Sequence, residues 1–228
     1  SRGLGDVYKS QMLIWVMGQS RSAISAIVSQ YLGANKLQEI KNLPAQAISI
    51  IVIISIIICF ATIPVSKSIF EFYNAENLLL DYTVEYFNIR VIGLPFTLYT
   101  FAVFGVFRGL QNTYTPMIIA LIGTTTNIVL DFILVHGISG LITPMYLEGA
   151  ALASVISQFL MALLSTFLII NKTKIDLIIR PPLNKELPRF LTMIGNLIVR
   201  TLALNLALYF ATSFATRYGT NYIAAYTI

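Results

Sequence analysis

The chain of 228 residues is 57% hydrophobic and only 11% charged, whereas soluble domains carry about 25% charged residues. A water-soluble fold of this length cannot bury so much apolar surface, so the composition indicates an integral membrane protein. The net charge of +5 does not indicate a nucleic-acid partner, because the Lys and Arg residues lie mainly between the apolar segments. A single cysteine, Cys59, excludes an internal disulfide and a cysteine metal cluster.

Six apolar segments predict an all-α, polytopic membrane bundle of about six transmembrane helices. They span residues 10–32, 45–66, 78–109, 115–136, 149–170 and 190–215, with a polar link predicted over residues 67–77. About 20 apolar residues suffice to cross the hydrocarbon core of a bilayer. In the third segment, Pro95 predicts a bend because proline removes a backbone hydrogen bond, and Gly93 allows a neighbour to approach that bend.

The distribution of basic residues predicts an orientation in a cell membrane, the inner or plasma membrane. The connections after the first, third and fifth helices carry the larger group: Lys36, Lys41, Arg108, Lys172, Lys174, Arg180, Lys185 and Arg189. The opposite side carries the smaller one: Arg2, Lys9, Lys67 and Arg217. By the positive-inside rule the larger group faces the cytoplasm, so both ends of the chain are predicted to lie outside it.

The fourth segment carries the strongest functional pattern. Asp131 is the only acidic residue between residues 117 and 135, and an acid at membrane depth normally faces a bundle interior or a wet cavity. Asn127 precedes it by four residues and Thr124 by seven, which places all three on one helix face. This ladder can bind a proton or a small cation such as Na⁺. The structural alternative is an ion pair of Asp131 with Arg90, with Asn127 as an interhelical hydrogen-bonding group.

Two basic residues, Arg21 and Arg200, lie near mid-membrane depth in the first and sixth segments. They are candidates for lining a polar cavity, and helix–helix or carbonyl hydrogen bonding is the alternative. No enzyme is predicted, because the sequence has one His and lacks metalloprotease, serine-hydrolase and phosphate-loop motifs. No cofactor is expected beyond a coupling ion.

Several motifs together resemble the multidrug and toxic compound extrusion (MATE) transporters. Residues 107–116, Phe-Arg-Gly-Leu-Gln-Asn-Thr-Tyr-Thr-Pro, resemble the connection between that family's helices four and five. The Asn127-x-x-x-Asp131 pattern, followed by Gly-Ala-Ala-Leu-Ala-Ser-Val-Ile-Ser-Gln at residues 149–158, is similar to helices five and six of its DinF-like branch. Residues 29–34 resemble the end of its second helix, and residues 200–202 with 224–225 resemble its seventh helix and the following loop.

The resemblance implies a transporter of two six-helix lobes around a central cavity. Such a protein exports organic cations and drugs by antiport with H⁺ or Na⁺, in alternating access. By this resemblance the chain covers helices two to seven. Residues 1–187 then form the N-terminal lobe without its first helix, and residues 188–228 the incomplete first helix of the C-terminal lobe. The opening residues 1–6 contain no Met and resemble the middle of a longer chain.

The resemblance also assigns site residues and partners. Asp131 and Asn127 fall on the family's cation-coupling positions, and Ser154 falls near a hydroxyl that lines the same site, with packing of Ser154 and Thr124 as the structural alternative. The implied partners are small organic substrates that are cationic or amphipathic, the lipid bilayer and the remainder of the same transporter chain. Nucleic acid is not an expected partner.

Two other functions remain open from the sequence. A lipid-linked oligosaccharide flippase of related architecture needs several cationic residues to meet pyrophosphate, and Arg21 is the only mid-membrane cation before the sixth segment. A non-transporting membrane scaffold fragment has no need of the Asn127 and Asp131 pair.

Overall fold

The computed structural model describes residues 18–72, 77–138, 143–173, 175, 177 and 181–217. These residues form eight α-helices: α1 Gln19–Gly33, α2 Leu43–Thr62, α3 Ser66–Phe72, α4 Asn77–Ile92, α5 Leu94–Gly109, α6 Tyr114–His136, α7 Tyr146–Lys172 and α8 Leu187–Arg217. The prediction of an all-α fold is confirmed. Four of the helices, α2, α6, α7 and α8, are long and apolar enough to span a membrane, and the bent pair α4 and α5 supplies a fifth span if counted as one.

The chain divides into two compact units. Residues Ser20–Leu187 form one unit, which holds nearly all of α1 and all of α2 to α7. The other contains Gln19 and the chain from Pro188 onward, described as far as the end of α8. The predicted first helix, residues 10–32, is seen from Gln19, and residues 10–17 lie outside the described part.

Two glycines of α5 allow α1 to pack closely against it. A Cβ at Gly105 would lie 2.6 Å from the backbone oxygen of Arg21, and one at Gly109 would lie 2.6 Å from Cβ of Val28. The two glycines are four residues apart and therefore share one face of α5. Small residues at this spacing let helix backbones approach each other, the usual means of packing helices in a membrane.

Helix α2 has one buried face and one exposed face. Ile48, Ile51, Ser55 and Cys59 are buried at helical spacing, whereas Ile53, Ile57 and Phe60 are exposed. In a bilayer an exposed apolar face meets lipid, so the exposure is expected of a spanning helix. Pro44 lies in the first turn of α2, where its missing N–H leaves no helical hydrogen bond unmade.

The link predicted over residues 67–77 is wrong in its first part, because Ser66–Phe72 forms α3. This short helix packs against α4, and the rings of Phe70 and Phe87 meet edge to face with centroids 5.3 Å apart. An aromatic pair of this geometry contributes about 0.5–1.5 kcal/mol beyond its buried area. The gain helps to order a segment that composition alone assigns to a loop.

The third predicted segment is two helices joined at Gly93, with a bend of 42° between them. Pro95 lies in the first turn of α5 and has no N–H to donate to the preceding helix. Gly93 is buried and contacts a side chain of α7, described below. Both parts of the prediction, a bend caused by Pro95 and a neighbour approaching at Gly93, are therefore confirmed.

α7 is the helix around which the larger unit packs. It contacts α4, α5 and α6, and α5 also contacts α2. The turn before α6 is fixed by Asn112, whose Oδ1 accepts from the backbone N–H of Thr115 at 3.0 Å. That side chain takes the place of a helical partner for one of the unpaired N–H groups at the start of a helix.

Candidate cation site

The candidate site lies in the antiparallel hairpin of α6 and α7. A Cβ at Gly149 would meet the backbone carbonyl of Leu134 at 2.7 Å, and a Cβ at Gly123 would overlap the side chain of Met161. The N–H of Met145 also donates to the Leu134 carbonyl, at 2.9 Å. The missing side chain of Gly149 thus lets the two backbones approach at one end of the hairpin, and that of Gly123 makes room for Met161 further along, with the polar residues of α6 between these contacts.

Asn127 faces α7 from the middle of α6. Its Nδ2 donates to Oγ of Ser154, with the two atoms 3.5 Å apart. The distance is at the long limit for a hydrogen bond, so this contact is weak. Both side chains are half-buried. The structure therefore brings together two of the residues that the sequence placed at the site, one from each helix of the hairpin.

Asp131 carries a buried oxygen atom that has no partner. The side chain as a whole is half-buried, yet its Oδ1 is shielded from solvent and makes no hydrogen bond with any described residue. Among the described residues, the other buried side-chain atoms without a hydrogen-bond partner belong to neutral side chains: Asn88, Thr100 and Ser165. Asp131 is thus the one ionisable residue in that set, and a carboxylate is costly to leave unpaired at membrane depth.

The ion pair between Asp131 and Arg90 does not form. Both residues are described, and no ion pair within 4.0 Å joins them. The guanidinium of Arg90 instead lies 2.8 Å from the carboxamide of Gln158. The alternative role of Asp131, a structural ion pair with Arg90, is therefore not supported.

Each of the three remaining candidates has its own environment. Thr124 is exposed, so the ladder predicted on α6 is half-buried only at Asn127 and Asp131. Arg21 is half-buried, and its guanidinium lies over the ring of Phe101 at 5.6 Å from the centroid, the geometry of a cation–π contact. Arg200 is exposed on α8, in the other unit.

The described residues do not form a metal centre built from several carboxylates or from His and Cys. No group of three or more His, Cys, Asp or Glu side chains able to hold a metal ion occurs among the described residues. A cation at the site would be met by one carboxylate, Asp131, together with neutral oxygen atoms. That ligand set suits a monovalent ion or a proton better than a divalent metal, which needs more negative charge.

The structure adds a polar contact that was not predicted from the sequence, that of Gln158, although the residue belongs to the motif at residues 149–158. In the amide orientation that satisfies its neighbours, its Oε1 accepts from Arg90 Nη1 at 2.8 Å and its Nε2 donates to the Gly93 carbonyl at 3.2 Å. The available signal was spacing, since Gln158 follows Ser154 by four residues and so shares its helix face.

Comparison with known proteins identifies the chain. The MatE family model matches residues 10–133, which include Asn127 and Asp131. The chain belongs to the MATE family. The family predicted from the sequence motifs is confirmed, and because MATE proteins are transporters, the prediction that the chain is not an enzyme is confirmed as well.

Curated relatives of this MATE chain come from plants and bacteria. Protein DETOXIFICATION 43 of Arabidopsis thaliana is 37% identical over 122 residues, 53% of this chain and 22% of the relative. The DNA damage-inducible protein F of Escherichia coli is 24% identical over 149 residues, 65% of this chain and 31% of the relative. The probable multidrug resistance protein NorM of Thermotoga maritima is 25% identical over 183 residues, 77% and 39% of the two chains.

Solved MATE structures share the fold. A MATE transporter crystallised in complex with MaD3S superposes with a TM-score of 0.84 at 21% identity, over 98% of this chain and 51% of that one. The bent form of the Vibrio cholerae MATE transporter VcmN gives 0.81 at 19% identity, over 98% and 50%. The chain thus spans about half the length of these transporters, and it is a multi-pass membrane chain of a transporter family.

Proposed function

We propose that this chain supplies the coupling-ion site of a secondary active exporter. In this proposal Asp131 and Asn127 bind H⁺ or Na⁺, and release of that ion down its gradient drives the efflux of organic substrates. The observation that carries it is the buried, unpartnered Oδ1 of Asp131 beside the Asn127–Ser154 contact. A group that the described residues leave unsatisfied is the natural position for a ligand that binds and dissociates.

The two ions would use the same atoms in different ways. A proton on Asp131 removes the charge and gives its carboxyl group one donor to share with a neighbour. A sodium ion is met by oxygen atoms, which the Asp131 carboxylate, the Asn127 amide and the Ser154 hydroxyl all provide. Since Asn127 turns its Nδ2 to Ser154, its Oδ1 is the amide atom left for a cation.

Transport requires that occupancy of the site differ between two conformations. A bound ion shifts the equilibrium only by the difference between its affinities for the two states. In a two-lobe protein those states expose the cavity to opposite sides of the membrane. We therefore propose that residues 1–187 act as most of one lobe, that residues 188–228 begin the other, and that the rest of the transporter is needed for activity.

Substrates and location follow from the same proposal. The relatives named multidrug resistance protein support small organic substrates. A cationic or amphipathic substrate fits exchange against a cation at Asp131, because an acidic site favours one positive charge at a time. Location in the inner or plasma membrane is part of the proposal and agrees with the bacterial relatives.

The deciding experiment is efflux by proteoliposomes holding the complete two-lobe transporter that contains this segment. An imposed proton gradient and an imposed sodium gradient are tested separately, with a fluorescent organic cation as substrate. Asp131→Asn keeps the shape of the side chain and removes its charge, so we expect it to reduce gradient-driven efflux at least tenfold at matched protein levels. Asn127→Ala should weaken the affinity for the coupling ion more than the affinity for the substrate.

The control for charge is Asp81→Asn, which removes an exposed acid on α4. It should leave efflux unchanged. If Asp131→Asn exports as fast as the wild type under both gradients, Asp131 is a structural acid and the proposed site is wrong. Loss of efflux in Asp81→Asn as well would show that the assay responds to net charge rather than to the site.

A further inference from the structure

Gln158 of α7 fills the space of a missing side chain at the break between α4 and α5. A Cβ on Gly93 would overlap the Gln158 carboxamide, and Gly93 is itself buried. The backbone of Gly93 is right-handed helical, with φ −73° and ψ −14°, a conformation open to any residue. Glycine at this position therefore leaves the space that Gln158 takes, and a larger residue would displace the end of that side chain.

The carboxamide bonds to both helices that meet at the break. Its Oε1 accepts from Nη1 of Arg90 in the last turn of α4, at 2.8 Å. Its Nε2 donates to the carbonyl of Gly93 at 3.2 Å and lies 3.2 Å from Oγ1 of Thr97 in α5. One side chain thus contacts the end of α4, the hinge residue and the start of α5. A change in the 42° bend would have to break or rearrange these bonds.

The same face of α7 carries the contact to the candidate cation site. Ser154 precedes Gln158 by four residues, one helical turn, and accepts from Asn127 of α6. Both residues lie within the uninterrupted helix α7. A shift of α7 at Ser154 therefore moves Gln158 with it, because a helix transmits displacement along its axis as a rigid element.

We propose that Gln158 is a positioning residue that couples ion occupancy at Asp131 and Asn127 to the angle between α4 and α5. The inference rests on the proposed function, since it assigns a path by which that site changes the conformation of its lobe. Gln158 touches neither the ion nor the substrate in this scheme. Coupling of this kind needs an element with two arrangements, and the break at Gly93 is that element.

The experiment measures the bend directly in the complete two-lobe transporter. Spin labels at positions 82 of α4 and 108 of α5, both exposed in the wild type, report the distance across the break in a background from which all other cysteines, Cys59 included, are removed. The sample is compared in 100-fold different sodium concentrations and at two pH values. We expect two distances in the wild type, exchanged by the coupling ion, and a single distance in Gln158→Leu that the ion no longer changes.

Comparison of the efflux rate with the affinity for the ion distinguishes a positioning role of Gln158 from a role in ion binding. Gln158→Leu should lower the maximal rate of gradient-driven efflux about tenfold and leave the ion concentration for half-maximal thermal stabilisation within twofold of the wild type. The matched control is Tyr99→Phe, which removes a 2.6 Å hydrogen bond to Thr166 between the same helices, α5 and α7, without touching the break. It should keep both the distance change and the efflux rate.

A second pair of variants guards against simple misfolding. Gly93→Ala places a methyl group where the carboxamide lies, so it should displace Gln158 and uncouple the bend with residue 158 intact. Gly93→Ala combined with Gln158→Ser restores the space without restoring the link. We expect the double variant to regain thermal stability and remain uncoupled. A merely structural role predicts that stability and efflux return together.

The outcomes distinguish the two proposals. If Asp131→Asn abolishes efflux while Gln158→Leu keeps the wild-type distance change, the proposed function stands and the inference is wrong. Loss of ion binding in Gln158→Leu would also overturn the inference, because Gln158 would then belong to the site itself. If Asp131→Asn transports normally, the proposed function fails whatever Gln158 does.

Discussion

The polar contacts that α7 makes with α6 differ, in how completely the groups are paired, from those it makes with α4 and α5 near their break. Toward α6, the polar contact is a 3.5 Å hydrogen bond between Asn127 and Ser154, next to an acid whose buried oxygen has no partner among the described residues. Toward α4 and α5, Gln158 makes contacts of 2.8 and 3.2 Å, and Tyr99 contacts Thr166 at 2.6 Å. The α6 side is therefore loosely paired and the α4 and α5 side is well paired at these residues, although Ser154 and Gln158 lie one turn apart on the same face of α7.

This difference in hydrogen bonding suits the α6 side to binding a ligand and the α4 and α5 side to stabilising the fold. Polar groups at membrane depth stabilise a bundle when their hydrogen bonds are made within the protein. The α4 and α5 side meets that condition at its break, where an interrupted helix most needs replacement partners. On the α6 side the condition is unmet at Asp131, and the missing partner is what an ion would supply.

The largest effect is expected from filling the close approach of the hairpin. Gly149→Val would place Cβ 2.7 Å from the backbone of Leu134, which cannot rotate away as a side chain would. Overpacking of this kind should destabilise the transporter by about 3 kcal/mol, the upper end of the usual range. Thermal unfolding in detergent measures it. Gly195→Val on α8 is the control, because a Cβ there meets nothing within 4 Å.

An unchanged melting temperature in Gly149→Val would contradict the close packing of α6 on α7. Gly195→Val is a matched control for Gly149→Val, since both substitutions add the same β-branched side chain inside a helix. Loss of stability in Gly195→Val to the same degree would assign the effect to the added side chain and not to the contact with Leu134, because helix propensity favours Val over Gly by a few tenths of a kcal/mol.

Most of the fold was predictable from the sequence, because apolar runs of membrane length define where helices lie. The bend was predictable too, since Pro95 lacks the N–H that a continuous helix needs. The helix α3 was not, because its order comes from the contact of Phe70 with Phe87 on α4 and not from its own composition.

The candidate site was predictable only where its residues share a helix. Asn127 and Asp131 were found by a spacing of four residues within one segment. The contacts between helices follow from how the bundle packs, which a single sequence does not state. Thus the Asp131–Arg90 pair was plausible by depth and is absent, whereas the contact of Arg90 with Gln158 had no signal beyond the position of Gln158 on its own helix.

The second prediction concerns the loosely paired side. Asp131→Asn removes a charge whose buried oxygen has no partner, so in the absence of the coupling ion it should raise stability by about 1–3 kcal/mol. Such a gain corresponds to an increase of about 2–4 °C in melting temperature per kcal/mol for a chain of this length. The measurement is thermal unfolding without sodium at neutral pH, with Asp81→Asn as the control for net charge.

A fall in stability would mean that Asp131 has an attractive partner, and its assignment as an unpaired acid would be wrong. A second readout comes from ligand linkage. If sodium is the coupling ion, added sodium stabilises the wild type in proportion to its binding, and the Asp131→Asn variant should not respond. With a proton as the coupling ion, sodium should change neither protein.

The third prediction tests the well-paired side. Tyr99→Phe removes the hydrogen bond to Thr166, which retains a second bond to the carbonyl of Ala162 at 2.9 Å. Since no group is left without a partner, the loss should be only about 0.6 kcal/mol, the average for hydrogen bonds between membrane helices. A double-mutant cycle with Thr166→Val measures it. A coupling energy near zero would place the stability of this side in its apolar contacts, such as that of Phe96 with Phe159.

The smallest effect on stability is expected from Ser154→Ala. The Asn127 contact that it removes is 3.5 Å long, and Ser154 also accepts from Ser157 through its backbone carbonyl, which the substitution keeps. A bond at this limit contributes little, so stability should fall by less than about 0.5 kcal/mol. Ser157→Ala is the control, since that hydroxyl bonds within its own helix and not to α6.

The same substitution should nevertheless alter the site. Without the Ser154 hydroxyl, Asn127 loses the hydrogen bond that orients its amide toward α7, and a cation loses one oxygen atom. Ion-dependent stabilisation should therefore require a severalfold higher concentration in Ser154→Ala and an unchanged concentration in Ser157→Ala. A large loss of stability with unaltered ion dependence would show that the contact of α7 with α6 is structural and does not belong to an ion site.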